Sequence, residues 1–169
     1  VIFSTESGTR VGLMALIHEK LYQSEDLAKI DSEDYVRSLT SGLQSSFSGR
    51  ASPVRISVEV ESIMLGVDSA VPCGLIVNEL VTNCFKYAFG DRPGEIRISM
   101  RRVPDSRLQL VVSDDGVGFP KDVDFRSTET LGMQLVTTLT EQLDGTIHLR
   151  NGTGTTFEIS FPESTAQKS

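Results

Sequence analysis

The chain has 169 residues, of which 38% are hydrophobic, and a formal net charge of −7. That is enough apolar residue to bury one good core, so one domain with a helical appendage is the economical parse. The acidic balance argues against a nucleic-acid partner, and with no apolar run near the ~20 residues that span a bilayer and no signal-peptide pattern, this piece is expected to be soluble and to make no membrane contact.

Residues 1–9 carry no interpretable pattern. A helix is expected over about 10–23, its stripe of Leu13, Met14, Leu16, Ile17 and Leu21 nearly all apolar. Such a helix needs a partner, and residues 1–30 are expected to project as a separate helical element. A second helix is expected over 32–48, with Asp31 or Ser32 as N-cap and the carboxylates of Glu33 and Asp34 suiting the positive end of its dipole. Gly49 to Pro53 ends it. VRISVEVES alternates as a half-buried strand does, and Asp68 and Ser69 are then expected to cap a long helix ending near Phe89 and Gly90.

EIRISMRRV and RLQLVVS read as a strand pair across a Pro-Asp-Ser turn. Residues 119–130 are polar and aperiodic between Gly118 and a helix at 131–143, as a lid would be. Strands at 145–151 and 155–161 make a hairpin, and residues 163–169 form a tail expected to be disordered. Together these elements predict one mixed sheet covered on a single face by helices, an α+β two-layer sandwich. Cys73 and Cys84 lie about three turns apart in one predicted helix, too far to bridge and without metal-ligand spacing, and are expected to be reduced core thiols.

The richest stretch is NELVTNCFKYAF, residues 78–89. At about 100° per residue its apolar side chains fill one broad arc, while Asn78, Glu79, Thr82, Asn83 and Lys86 fill the other. Glu79 and Asn83, four residues apart, can meet one ion or water between them, with Lys86 a turn further on. A solvated helix face explains the same pattern. SDDGVGFP adds Asp114 where a strand runs out, followed by Gly116 and Gly118, which permit close backbone approach. DGTIHLRNGTGTTFEISF is a hairpin signal.

In this order and spacing the segments resemble the N box and glycine boxes of the GHKL ATP-binding superfamily, which joins gyrase-type topoisomerases, Hsp-type chaperones, histidine kinases and mismatch-repair ATPases. Within it the chain is most similar to sensor histidine kinases. Lys86 and Tyr87 follow Asn83 as in their N box, and LGMQLVTTLTEQLDGTI resembles their second glycine box and its helix. RVGLMALIHEKLYQSEDLAKIDSEDYVRSL resembles the second dimerisation helix and connector of the second HisKA subtype. The resemblance runs from about residue 10 to 162. It names the sandwich a Bergerat fold, residues 31–162 the ATP-binding catalytic domain and residues 1–30 the end of the dimerisation helices.

The resemblance implies ATP and Mg²⁺ as ligands and assigns roles. Asp114 matches the carboxylate that accepts from the adenine amino group, a charge-assisted bond. Thr155 matches the threonine that shares a water with that aspartate and the ring, although a plain strand residue also fits there. Gly116 and Gly118 let the base lie against backbone. Asn83 matches the Mg²⁺ ligand, one carboxamide sufficing beside phosphate oxygens and waters. Glu79 matches the acid that orients or deprotonates a water or acceptor, and Lys86 is placed to neutralise phosphate. Tyr87 either packs near the nucleotide or belongs to the core. Gly132, at a helix start, offers phosphate its free N–H groups, and Lys121 and Arg126 lie on the lid.

The chain also departs from the family. The acceptor motif of the first dimerisation helix, a His-x-x-Lys-Asn-Asn type, does not occur in these 169 residues. His18 and His148, the two histidines, do not match the acceptor. The expected activity is therefore transfer of the ATP γ-phosphate to a histidine supplied from elsewhere. The expected setting is a cytoplasmic homodimer, in a full-length protein that is free or membrane-attached, acting on a response-regulator receiver domain. A serine or threonine kinase of the anti-sigma-factor kind and a regulatory nucleotide-binding module without kinase activity remain as alternatives.

Overall fold

A computed structural model of the chain describes residues 2–23, 29–118 and 131–163. The expected lid at 119–130, with Lys121 and Arg126, and the tail from residue 164 lie outside the described residues. In chain order the elements are α1 (Ile2–Gln23), β1 (Lys29–Asp31), α2 (Ser32–Ser46), β2 (Val54–Val60), β3 (Met64–Gly66) and α3 (Val67–Asn83). A π-helical turn, Cys84–Ala88, prolongs α3. Then follow β4 (Gly94–Val103), β5 (Arg107–Asp114), α4 (Leu131–Gln142), β6 (Thr146–Asn151) and β7 (Thr155–Pro162).

Five strands form the main sheet in the order β2-β4-β5-β7-β6. Only β2 and β4 run parallel, so the sheet is mixed, as expected. Alternation sets its two faces. Ile96, Ile98 and Met100 of β4, Leu108, Leu110 and Val112 of β5, and Phe157, Ile159 and Phe161 of β7 are buried. They pack in one core with Leu39 and Leu43 of α2, Ile76 and Leu80 of α3, and Val136 and Leu139 of α4. Each such side chain contributes about 1.5–3 kcal/mol by leaving water. Arg97, Arg101 and Gln109, one residue out of phase, sit on the opposite face, which no helix among the described residues covers. The edge strand β2 is partly closed by Gln44, whose amide donates to the Val54 carbonyl and accepts from the Ile56 N–H.

Asp31 is the N-cap of α2, its carboxylate accepting from the Glu33 N–H. Ser32 is instead buried, donating to the Glu61 carbonyl at 2.6 Å and accepting from the Ile63 N–H at 2.9 Å. The antiparallel pair β1–β3 was not expected, since three-residue strands are too short to show a period. It also shifts the start of α3. Gly66 pairs with Lys29 and enters the helix from extended backbone without a side-chain cap, so Asp68 and Ser69 lie within the first turn rather than capping it.

Helix α1 begins at Ile2, well before residue 10, and its second half packs on the body rather than projecting. Leu13 and Ile17 are 2% exposed and join the common core. The reason is a notch at Gly74: a Cβ there would overlap the Tyr35 hydroxyl and crowd the Leu13 methyl. Tyr35 seals the notch by donating to the Ala70 carbonyl at 3.0 Å, and Lys20 pairs with Asp34 at 2.9 Å. Met14 of the apolar stripe is half exposed, and Val11 and Tyr22 are more so.

Candidate functional site

Glu79 and Asn83 lie one turn apart on α3 and both face the start of α4. Glu79 is 5% exposed, which removes the reading of a solvated helix carboxylate. Its Oε2 lies 3.0 Å from the position a Cβ on Gly132 would take, so any larger residue at 132 would press on the acid. Asn83 donates through Nδ2 to Met133 Sδ at 3.6 Å. The carboxamide is thereby turned so that Oδ1 is left for another partner. The Leu-Gly-Met segment that opens α4 is thus packed against these two polar groups of α3.

After Asn83 the helix does not continue as α to residue 89, as the arc of apolar residues suggests. It widens into the π turn, a form concentrated at functional sites. Two contacts hold the widened turn. Phe85 stacks on Phe47, with ring centroids 4.4 Å apart and planes 8° from parallel. Arg50 donates to the Phe85 carbonyl at 2.9 Å and to the Gly90 carbonyl at 2.6 Å, placing a cation on the carbonyl end of the helix. Cys84, Phe85 and Ala88 are buried as expected, whereas Lys86 is exposed and Tyr87, 73% exposed, is not a core residue.

Asp114 follows Leu108, Leu110 and Val112 at intervals of two along β5, so its side chain leaves the sheet on the helix-covered face. It is the last residue of the strand and pairs in register with Thr155, which is buried. Its Oδ1 accepts from the Gly116 N–H at 2.9 Å, and its Oδ2 accepts from the Cys84 thiol at 3.4 Å. Burial first, and the Asp114 charge second, hold the Cys84 thiol well above the ordinary thiol range. The neighbouring Asp115 turns elsewhere and accepts from the Glu95 N–H.

The backbone around Asp114 tolerates glycine alone at two points. A Cβ on Gly116 would overlap the Ala88 carbonyl, and one on Gly154 would overlap the Asp114 carbonyl. The Val117 N–H donates to the Ala88 carbonyl at 2.9 Å, tying the loop after β5 to the π turn, and Gly118 has a φ of 82°. Glu79, Asn83, Asp114, Gly116, Gly132 and Thr155 are therefore gathered at one end of the α3–α4–β5–β7 layer, with Lys86 and Tyr87 on its solvent side. Cys84, Arg50 and Gly154 belong to the same neighbourhood and were not singled out as site residues from the sequence. For Gly154 the Gly-Thr-Gly loop was a signal; for Cys84 only its place beside Asn83 was.

A separate cavity of about 430 Å³ lies mainly against the uncovered face of the sheet. Arg97, Ser113, Thr156 and Arg150, one from each of four adjacent strands in one cross-strand row, line it. It meets the candidate site at Asp114 and Gly154. Among the described residues no three His, Cys, Asp or Glu side chains converge as a metal site. His18 and His148 are both exposed, away from this cluster.

Residues 69–165 match the family model described as histidine kinase-, DNA gyrase B-, and HSP90-like ATPase, and residues 3–47 match one described as histidine kinase. Blue-light-activated histidine kinase 2 of Erythrobacter litoralis (strain HTCC2594) is 32% identical over 111 residues, 64% of this chain and 32% of the relative. Sensor histidine kinase PdtaS of Mycobacterium tuberculosis is 29% identical over 148 residues, 86% of this chain and 29% of the relative. The chain thus spans about a third of the length of these curated relatives. The histidine kinase domain of the Erythrobacter litoralis EL346 blue-light activated histidine kinase superposes with a TM-score of 0.82 at 26% identity, covering 92% of this chain and 74% of that one. The α+β sandwich is therefore the fold of histidine kinase catalytic domains.

Proposed function

The chain belongs to the histidine kinase-, DNA gyrase B-, and HSP90-like ATPase family, and from that premise we propose that residues 31–162 bind ATP with Mg²⁺ and transfer its γ-phosphate to a histidine on a dimerisation helix outside these 169 residues. Residues 1–30 are the end of the dimerisation helices, and the whole protein is a sensor histidine kinase. The observation that carries this reading is the placement of Asp114. A carboxylate ends a buried apolar row, held by donors from two sides, beside the helix that bears Asn83 and Glu79.

The roles are those the family resemblance implies, and the local chemistry suits each. The Asp114 carboxylate accepts from the exocyclic amine of adenine, with Thr155 opposite it across the ladder. Gly116 and Gly118 keep the wall of the base pocket to bare backbone. The residues present fit a divalent cation: with Nδ2 of Asn83 spent on Met133, its Oδ1 would supply the hard oxygen that Mg²⁺ prefers. When bound, the cation neutralises charge on the transferring phosphoryl group. Glu79 orients or deprotonates the attacking group from its buried position, Lys86 balances phosphate charge, Tyr87 packs against the nucleotide, and Gly132 offers backbone N–H groups to phosphate. The protein acts as a homodimer and passes the phosphoryl group to a response-regulator receiver domain. No helix among the described residues is long and apolar enough to cross a membrane; a cytoplasmic location is part of the proposal.

A titration of the chain with ATP and ADP, each with and without Mg²⁺, tests the reading. Binding of both, with Mg²⁺ strengthening the ATP complex, is expected. Absence of binding under either condition would remove the nucleotide from the site.

A further inference from the structure

Cys84, outside the proposed nucleotide contacts, donates to the Asp114 carboxylate. The π turn puts it there. Cys84 opens that turn, buried, with its sulfur 3.4 Å from Oδ2, while the Gly116 N–H holds Oδ1 from the other side. A carboxylate gripped at both oxygens has its plane fixed, so its remaining lone pairs point in set directions. One of the two grips is backbone and cannot be varied by sequence; the other is this thiol.

We infer that Cys84 is a positioning residue for base recognition: its S–H holds Oδ2 so that Asp114 presents a fixed acceptor to the exocyclic amine of adenine. The inference rests on the reading of Asp114 as the adenine acceptor. It makes the thiol part of how the site tells an aminopurine from a purine without that amine. The cysteine does not touch the nucleotide, and its buried sulfur, turned toward Asp114, serves as a donor and not as a nucleophile.

The test compares ATP with purine riboside triphosphate, which lacks only the exocyclic amine, by titration calorimetry on the unaltered chain, Cys84→Ala and Cys84→Ser. Loss of the donor is expected to weaken ATP by about fivefold, the size of one modest hydrogen bond, and to leave purine riboside triphosphate nearly unchanged. Cys84→Ser, which keeps a donor at the position, is expected to recover most of the loss. A general loosening of the fold would weaken both nucleotides alike, in the serine variant as well, and that result overturns the inference. So does ATP binding that is unchanged in Cys84→Ala. If the unaltered chain bound neither nucleotide, the reading of Asp114 would fall and this inference with it.

Discussion

Asp114 and Thr155 stand directly opposite one another as the final pair of the β5–β7 ladder, both on the helix-covered face. Below them the same two rows hold Val112 and Phe157, then Leu110 and Ile159, all buried. A charged and a hydroxyl side chain therefore crown a dry stack of apolar ones. In such surroundings a hydrogen bond to the carboxylate is worth more than at an open surface, because water competes less for it.

Asp114→Asn keeps the shape and removes the charge. It is expected to weaken ATP and ADP by about tenfold or more, the value of roughly 1.5–3 kcal/mol for a hydrogen bond to a charged group. Asn83→Ala is expected to remove mainly the Mg²⁺-dependent part of ATP affinity. Calorimetry with and without Mg²⁺ separates the two. If Asp114→Asn bound ADP as tightly as the parent, the base pocket would have to lie elsewhere.

Gly116 and Gly154 bracket Asp114 where a Cβ would strike a backbone carbonyl, and backbone yields less readily than a side chain. Gly116→Ala and Gly154→Ala are expected to lower stability by about 1–3 kcal/mol each, as overpacked sites do. Gly152, with nothing within 4 Å of its would-be Cβ, is the control. Its alanine variant is expected to shift the urea midpoint little, within about 0.5 kcal/mol. Equal midpoints for all three would contradict the close approach.

Arg50 fastens the π turn through two carbonyls at once. Arg50→Ala is expected to cost about 1–3 kcal/mol of stability and to weaken nucleotide binding, since Lys86 and Tyr87 ride on that turn. Arg50→Lys should restore little, because one ammonium does not reproduce the two-pronged geometry of the guanidinium. Full rescue by lysine would show that charge alone suffices.

Stability should fall on the alkaline side. Burial pushes the Cys73 thiol from 9.0 up to about 12, and Cys84 moves the same way. The contribution is whole below the unfolded value and is lost as the pH rises above it, because the unfolded chain then releases protons that the folded one retains. The slope is about 1.4 kcal/mol per pH unit for each such thiol. Urea titrations under reducing conditions from about pH 8 to 10.5 should show this decline, and Cys73→Ala should flatten it. A decline equally steep in Cys73→Ala would assign it to other groups.

His18 is not expected to accept phosphate. It is exposed on α1, apart from the nucleotide cluster, and nothing around it resembles the acceptor motif. Incubation of the chain with labelled ATP should leave no acid-labile label, whereas adding a polypeptide that carries the first dimerisation helix should place label there. Label on His18 in the chain alone would refute this.

The strand reading of RLQLVVS put Asp114 where a strand runs out, and the spacing of Glu79, Asn83 and Lys86 put them on one side of a helix. Those patterns are local, since a period of two or of 3.6 residues fixes a side chain's direction from its own neighbours. The π turn was not legible, because it depends on Phe47 and Arg50, some forty residues earlier in the chain, reaching Phe85 and Gly90. Nor was the docking of α1, which depends on a notch at Gly74 that only the packing of Tyr35 reveals. The Asp68 and Ser69 cap failed for a similar reason: the strand pair β1–β3 fixes Gly66 first.

By itself, then, the sequence determined the layer order, the polar face of α3 and the carboxylate at the end of β5, all set by periodicity and by the few residue types that suit each position. Tertiary structure decided what those groups meet: Glu79 against Gly132, Asn83 against Met133, and Asp114 between Gly116 and Cys84. These contacts join residues up to 53 apart, and their geometry follows from how two helices and a sheet close on one core, which no local pattern encodes.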